Sequence, residues 1–247
     1  MDLIMRQVPK YVIIGNGRMA RHMCYYFQNL AIDFHQWHRS SHSSFQLYGL
    51  LQQSTHALIL INDNEIEDFI FQHIKCHSHL TVVHFSGCLV TELAFGVHPL
   101  QTFSQDLLTS IADYQKIPFL IDDFSPEFSS LLPGINNPYY RIKPEDKAFY
   151  HAHCVMANNF TSILWHKFYK EMTGRFSILP EHLAPYLEQT FKNLKINPLK
   201  ALTGPLERKD TKTLQANMSA LINDEFYSIY KAFFNQFTRR ESNEKHP

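Results

Sequence analysis

With 247 residues, the chain has room for one large domain or two modest ones. Its 45% hydrophobic and 19% charged content supports a substantial core and excludes wholesale disorder. Lys plus Arg and Asp plus Glu balance at 23 each, which removes the electrostatic case for a nucleic-acid or anionic-membrane partner.

The cysteines Cys24, Cys76, Cys88 and Cys154 form no Cys-x-x-Cys pair, so they read as free, mostly buried thiols of a reducing compartment. The 15 histidines are scattered and suggest no metal set. The N-terminal stretch lacks an apolar signal core, and no run approaches membrane-spanning length. A soluble, cytoplasmic protein without a membrane partner is expected.

The first element in chain order is also the most informative. Tyr11–Ile14 reads as a buried strand that runs into Gly15-Asn16-Gly17-Arg18-Met19-Ala20 and then a helix over Met19–Leu30. Gly15 permits a tight turn, Gly17 lets the backbone approach a pyrophosphate, and Ala20 lets helix and strand pack closely. The first amides of the helix, at its positive dipole end, suit phosphate charge. Further strands are expected at Ile32–Trp37, Ala57–Ile61, Thr81–His84, Gly96–Pro99 and Pro118–Ile121, with a helix over Asn64–Ile74. A short helix follows at Glu127–Leu132, and Asn136–Arg141 reads as a last strand or an extended connector. Alternation of this kind predicts βαβ units and a largely parallel sheet.

From Pro144 onward the pattern turns helical. Pro144 with two following acids starts a helix of nearly thirty residues that Gly174 is placed to cap. Helices are expected at Glu181–Leu194, Thr211–Leu221 and Asp224–Thr238, with a frayed polar tail over Arg239–Pro247. The fold class is therefore α/β: a Rossmann-type, mostly parallel sheet domain over 8–142, followed by an all-helical domain over 143–240. The last helix, carrying Phe226, Tyr227, Tyr230, Phe233, Phe234 and Phe237, has more apolar surface than one face needs, so a homodimer is expected.

The second strand ends Gln36-Trp37-His38-Arg39-Ser40-Ser41 with no acid to read a ribose 2′-hydroxyl. Arg39 can pair with a 2′-phosphate and Ser40 can donate a hydroxyl, so NADP is expected over NAD. Asn62 and Ser86, after the third and fourth strands, together with His98, are expected to flank the nicotinamide end. On the long helix Lys147, His151 and Asn158 share a face, and Asn159 reaches the same cleft from its edge. A lysine and a histidine one turn apart can polarise or protonate a carbonyl oxygen. The mid-helix Asn158-Asn159 pair is poor helix chemistry, and such inconsistency is a mark of function. Gln101, after the fifth strand, and Thr203 and Arg208, in a turn that Asp210 caps, supply polar and cationic groups for a small acidic substrate.

Gly15-Asn-Gly-Arg-Met-Ala20, His84-Phe-Ser-Gly87, His98-Pro-Leu-Gln-Thr-Phe103, Lys147-Ala-Phe-Tyr-His151 with Asn159, and Leu202-Thr-Gly-Pro205 occur in this order. Together they resemble a bacterial family of Rossmann-like oxidoreductases with a helical C-terminal domain, related to the pyrroline-5-carboxylate reductase and 6-phosphogluconate dehydrogenase group. The resemblance implies NADPH-dependent reduction of a small 2-oxo acid. One branch resembles an alternative type of ketopantoate reductase, which reduces 2-dehydropantoate to pantoate for pantothenate synthesis. Lys147 is expected to donate a hydrogen bond or proton to the carbonyl oxygen, and His151 or Asn159 to orient the substrate. The more familiar ketopantoate reductases follow their lysine with an asparagine one turn later, where this chain has His151; Asn158 also replaces a small residue. Imine reduction of the pyrroline-5-carboxylate type and non-catalytic NADP binding are the alternatives.

Overall fold

The computed structural model describes residues 8–244, with side chains through residue 236. The chain divides into two compact units, one ending at Leu164 and the other starting at Trp165.

The first unit is built on seven strands: β1 (Tyr11–Ile14), β2 (Phe34–Trp37), β3 (His56–Ile59), β4 (Thr81–His84), β5 (Phe95–Pro99), β6 (Phe119–Asp122) and β7 (Tyr139–Ile142). Their order across the sheet is β2-β1-β3-β4-β5-β6-β7. Every neighbouring pair is parallel except β5 with β6. β1 shows why its sequence is apolar at every position. Tyr11 and Ile13 enter a core with Ala20, Met23 and Phe27 of α1 (Arg18–Asn29). Val12 and Ile14 point into the opposite core, with Leu47 and Leu51 of α2 (Ser44–Gln53) and with Ile66 and Ile70. Burial on both faces is what a parallel sheet wrapped by helices requires.

The expected strands form to within a residue or two, and the ambiguous Asn136–Arg141 segment overlaps a true strand, β7. The helix expected over Asn64–Ile74 is a composite: a 3₁₀ turn at Asp63–Glu65, α3 (Ile66–Phe69) and a π turn over Ile70–Ile74. In the first unit two helices were not anticipated, α2 and α4 (Ile111–Gln115). Both carry a readable start. Ser43 and Gln46 form a reciprocal capping box, and the Ser110 hydroxyl accepts from the Asp113 amide. A short α5 (Phe128–Leu131) precedes β7.

The first unit runs on past the sheet to Leu164. The reason is α6 (Pro144–Val155), which is tied to the sheet: Lys147 Nζ lies 2.7 Å from Asp122 Oδ1 of β6, and Tyr150 Oη lies 2.8 Å from His98 Nδ1 of β5. The long helix continues through a π turn at Met156–Phe160 into α7 (Thr161–Gly174).

The second unit is all-helical as expected, with α8 (Pro180–Ile196), α9 (Gly204–Glu207), α10 (Thr211–Ala220) and α11 (Tyr227–Glu244). Trp165 anchors an aromatic cluster with Phe168, Tyr186 and Phe191. Lys167 bonds Glu171 and Asp224, each at 2.9 Å, and Glu225 at 3.2 Å, which raises its pKa above the usual lysine range. The last helix starts later than expected because Asp224 Oδ1 is engaged by the Phe226 amide. It also runs on through Arg239–Glu244, where a frayed tail was expected. The side chain of Phe237 and residues 245–247 lie outside the described residues.

The thiols are free but less buried than expected. Cys76 and Cys88 are exposed, and Cys24 and Cys154 are half-buried. No helix among the described residues is long and apolar enough to cross a membrane.

Candidate active site

The sheet order reverses between β1 and β3, because the chain leaves β1 toward β2 and returns on the other side. Crevices beyond the carboxyl ends of strands at such a switch point are where α/β sheets hold ligands. A cavity of about 1260 Å³ opens there, lined from the first unit by Gly15 to Met19, Arg39, Ser40, Asn62, Ser86, Gln101, Asn158 and Asn159 among others. It exceeds the roughly 300–1,000 Å³ of a common small-molecule pocket, leaving room for an extended ligand.

The glycine turn forms one wall. Gly15 has φ +131°, and a Cβ there would collide with the Leu60 carbonyl oxygen. Its amide donates to Trp37 O at 2.9 Å, and its carbonyl accepts from Gln36 Nε2 at 2.8 Å, so β2 fixes the turn. Gly17 is different. Its backbone is extended, and a Cβ would meet no protein atom within 4 Å. No steric contact within the chain demands glycine at that position, whereas a group in the cavity approaching the backbone would. Gly17 is also the N-cap of α1, with no side-chain cap and no acid in the first turn, so the amides that begin the helix face the cavity with its positive end. Ala20 is fully buried and serves helix–strand packing.

After β2, Arg39 and Ser40 line the cavity, and so do His38, His42 and Ser43. Glu65, in the turn after β3, also lines it, with Oε1 3.7 Å from Arg39 Nη1. Asn62 Oδ1 accepts from the Asn64 amide, so that residue both caps a turn and faces the cavity. Ser86 donates a short hydrogen bond to Asp63 and accepts from the Leu89 amide at 3.0 Å. At the far end, Asn158 Nδ2 donates to Thr102 Oγ1 at 3.2 Å, and Phe85 and Phe103 supply apolar walls. The π turn over Met156–Phe160 brings the adjacent Asn158 and Asn159 to the same cavity; π turns recur at functional sites. Apart from Arg18 and Arg39, no Lys or Arg is among the described lining residues.

Lys147, His98 and His151 do not line this cavity; they sit together behind the loop that carries Ser86. Lys147 is 3% exposed and paired with Asp122, whose Oδ2 also accepts from the Gly96 amide at 2.7 Å. His151 packs against Gly87, leaving no room for a side chain there, and its ring lies 5.8 Å from that of His98. Burial pushes His98 down to about 4, with the neighbouring His151 and the Lys147 charge adding to it. Burial likewise pushes His84 down to about 4, and the Lys147 ammonium contributes, so both rings are neutral at physiological pH. His84 Nδ1 accepts from the Ser86 amide at 3.2 Å, while its buried Nε2 has no partner among the described residues.

Thr203 and Arg208 belong to the second unit, at the N-cap and C-cap of α9, and Asp210 caps α10 through the Thr213 amide at 3.0 Å as expected. Sequence reading missed Asp122, Glu65, Gln36 and the aromatic walls. Asp122 left no motif, because the partner of Lys147 is 25 positions away on a non-adjacent element. The start of α2 was available in the Ser43-x-x-Gln46 spacing.

The fold is a Rossmann-type sheet domain followed by helices. Comparison with known proteins agrees. A family model described as a domain of unknown function, DUF2520, matches residues 124–236. No curated protein matches the sequence significantly. Among solved structures, a candidate NADP oxidoreductase from Bacteroides fragilis, BF3122, superposes with a TM-score of 0.73 at 19% identity, covering 93% of this chain and 97% of that one. Protein TM1727 from Thermotoga maritima gives 0.66 at 20% identity, covering 96% and 100%. Pyrroline carboxylate reductase from Plasmodium falciparum, solved with NADP bound, gives 0.58 at 13% identity, covering 94% and 96%. The resemblance drawn from sequence motifs holds at the level of fold.

Proposed function

We propose that the chain binds NADP(H) in the switch-point cavity and reduces a small carbonyl compound, a 2-oxo acid, with 2-dehydropantoate (ketopantoate) as the case suggested by its motifs. One observation carries this reading. A fixed glycine turn and the uncapped start of α1 open onto a cavity that continues to a pair of neutral amides. The residues suit the coenzyme. The amides at Gly17 to Met19 and the Arg18 side chain would hold the pyrophosphate, and Arg39 and Ser40 the 2′-phosphate. Asn62 and Ser86 would meet the nicotinamide ribose. The Bacteroides and Plasmodium structures, described in terms of NADP, support the choice of coenzyme.

When bound, NADPH supplies a hydride. The chain's part is to orient the acceptor and exclude water. Gln101, Asn158 and Asn159 offer amide donors to a carbonyl oxygen or carboxylate, and Phe85 and Phe103 keep water away from them. Lys147 and His151 both lie behind the Ser86 loop and off the cavity wall, and the Lys147 ammonium is held by Asp122, so neither takes the role of proton donor. Lys147 is then a positioning residue that fixes α6 against β6.

A second reading, imine reduction, is favoured by the likeness to pyrroline carboxylate reductase and by a substrate end without a described cation. An NADPH-oxidation screen against ketopantoate, other 2-oxo acids and cyclic imines separates the two. Oxidation only with imines selects the second reading. Tight NADPH binding with no turnover identifies a binding protein. Absence of both NADPH and NADH binding at millimolar concentration, measured by calorimetry, overturns the coenzyme assignment.

We further propose that the second unit pairs with a second copy of the chain. Phe176, Tyr186, Phe191, Ile196 and Phe233 are exposed on it, and two copies would cover such surface. A monomer in static light scattering at assay concentration refutes this.

A further inference from the structure

We infer that Glu65 competes with the coenzyme's 2′-phosphate for Arg39, and so sets how strongly the chain discriminates NADPH from NADH. The inference rests on the coenzyme reading above. The expected ribose-reading acid is missing from the end of β2, but the tertiary structure supplies one from the turn after β3. Glu65 Oε1 lies 3.7 Å from Arg39 Nη1, and both side chains line the cavity beside Ser40.

The two charges call for opposite coenzymes. A 2′-phosphate carries about −1.5 to −2 charge, by analogy with other phosphate monoesters, and gains from the Arg39 guanidinium. It must first draw that guanidinium from Glu65 and then lie beside a carboxylate of like sign. A 2′-hydroxyl brings no charge and can donate to Glu65, leaving the Arg39–Glu65 pair intact. The pair is exposed, at 83% for Arg39 and 51% for Glu65, so it is weak enough for a bound phosphate to exchange. Arg39 favours one coenzyme, Glu65 the other, and discrimination is their balance.

The test is Glu65→Gln in the full-length protein, with Kd for NADPH and NADH measured by calorimetry and KM by turnover at constant ionic strength. We expect NADPH to bind roughly threefold to tenfold tighter and NADH several-fold weaker, with kcat little changed. Glu65→Asp, which keeps the charge on a shorter arm, should fall between. In an Arg39→Ala background, the NADPH gain from Glu65→Gln should shrink. Glu92→Gln, at a separate groove with Phe124, is the charge control and should move neither constant. An NADPH-to-NADH ratio within twofold of wild type, or an equal loss for both coenzymes, overturns the inference while leaving the coenzyme reading in place. If the unaltered protein binds neither coenzyme, that reading itself has failed.

Discussion

The two units handle apolar surface in opposite ways. In the first, β1 and β3 are buried along their whole length, and both sheet faces are covered by helices. In the second, Leu183 and Leu214 are the only buried side chains among the described residues, while Phe191 is 46% exposed and Phe233 58%. A parallel sheet closes its own core through its crossover helices. Helices in a small unit with no sheet to cover bury far less, and what they leave exposed is the surface on which the proposed pairing rests. Stability and coenzyme contacts should therefore be decided in the first unit, and assembly in the second.

The sharpest way to break this contrast is at the buried ion pair. Lys147→Met strands Asp122 in the core and should destabilise the protein by about 3–5 kcal/mol in urea unfolding. Lys147→Met with Asp122→Leu should recover most of that; if the single variant unfolds like wild type, Lys147 does not hold α6 to the sheet. Next comes the glycine turn. Gly15→Ala forces a side chain into a positive-φ position against Leu60 and should cost roughly 3 kcal/mol or more. Gly17→Ala meets no protein atom and should cost no more than a weakened helix N-cap, about 1 kcal/mol, yet weaken NADPH binding about tenfold or more. Unchanged affinity would mean that nothing approaches that backbone.

Acid tests the core from another side. His84 and His98 are each held near 4 in the folded protein, below their unfolded value of about 6.5. The unfolded chain takes up these protons first, so the contribution is complete above about pH 6.5 and is lost as pH falls toward 4. By pH 5.5 the loss should be roughly 1 kcal/mol per histidine in urea midpoints, and His84→Asn should flatten the slope. An unaltered slope would mean that His84 is not held neutral. The smallest effect on stability belongs to the second unit. Phe233→Ser should leave unfolding within about 0.5 kcal/mol per chain but shift light scattering from dimer to monomer. An unchanged mass would remove Phe233 from the seam.

The sequence by itself determined the strands, the glycine turn and the helical second half. Those features rest on local rules: apolar runs buried on two faces, a residue free of Cβ at a positive φ, proline and acids at a helix start. It also marked Asn158 and Asn159, because a mid-helix amide pair conflicts with helix propensity and a π turn forms there. Only the tertiary structure decided the rest. It buried Lys147 against Asp122 and set Glu65 opposite Arg39. Each of these depends on elements far apart in the chain meeting at the carboxyl edge of the sheet, and pairings of that kind leave no periodic trace along a single strand of sequence.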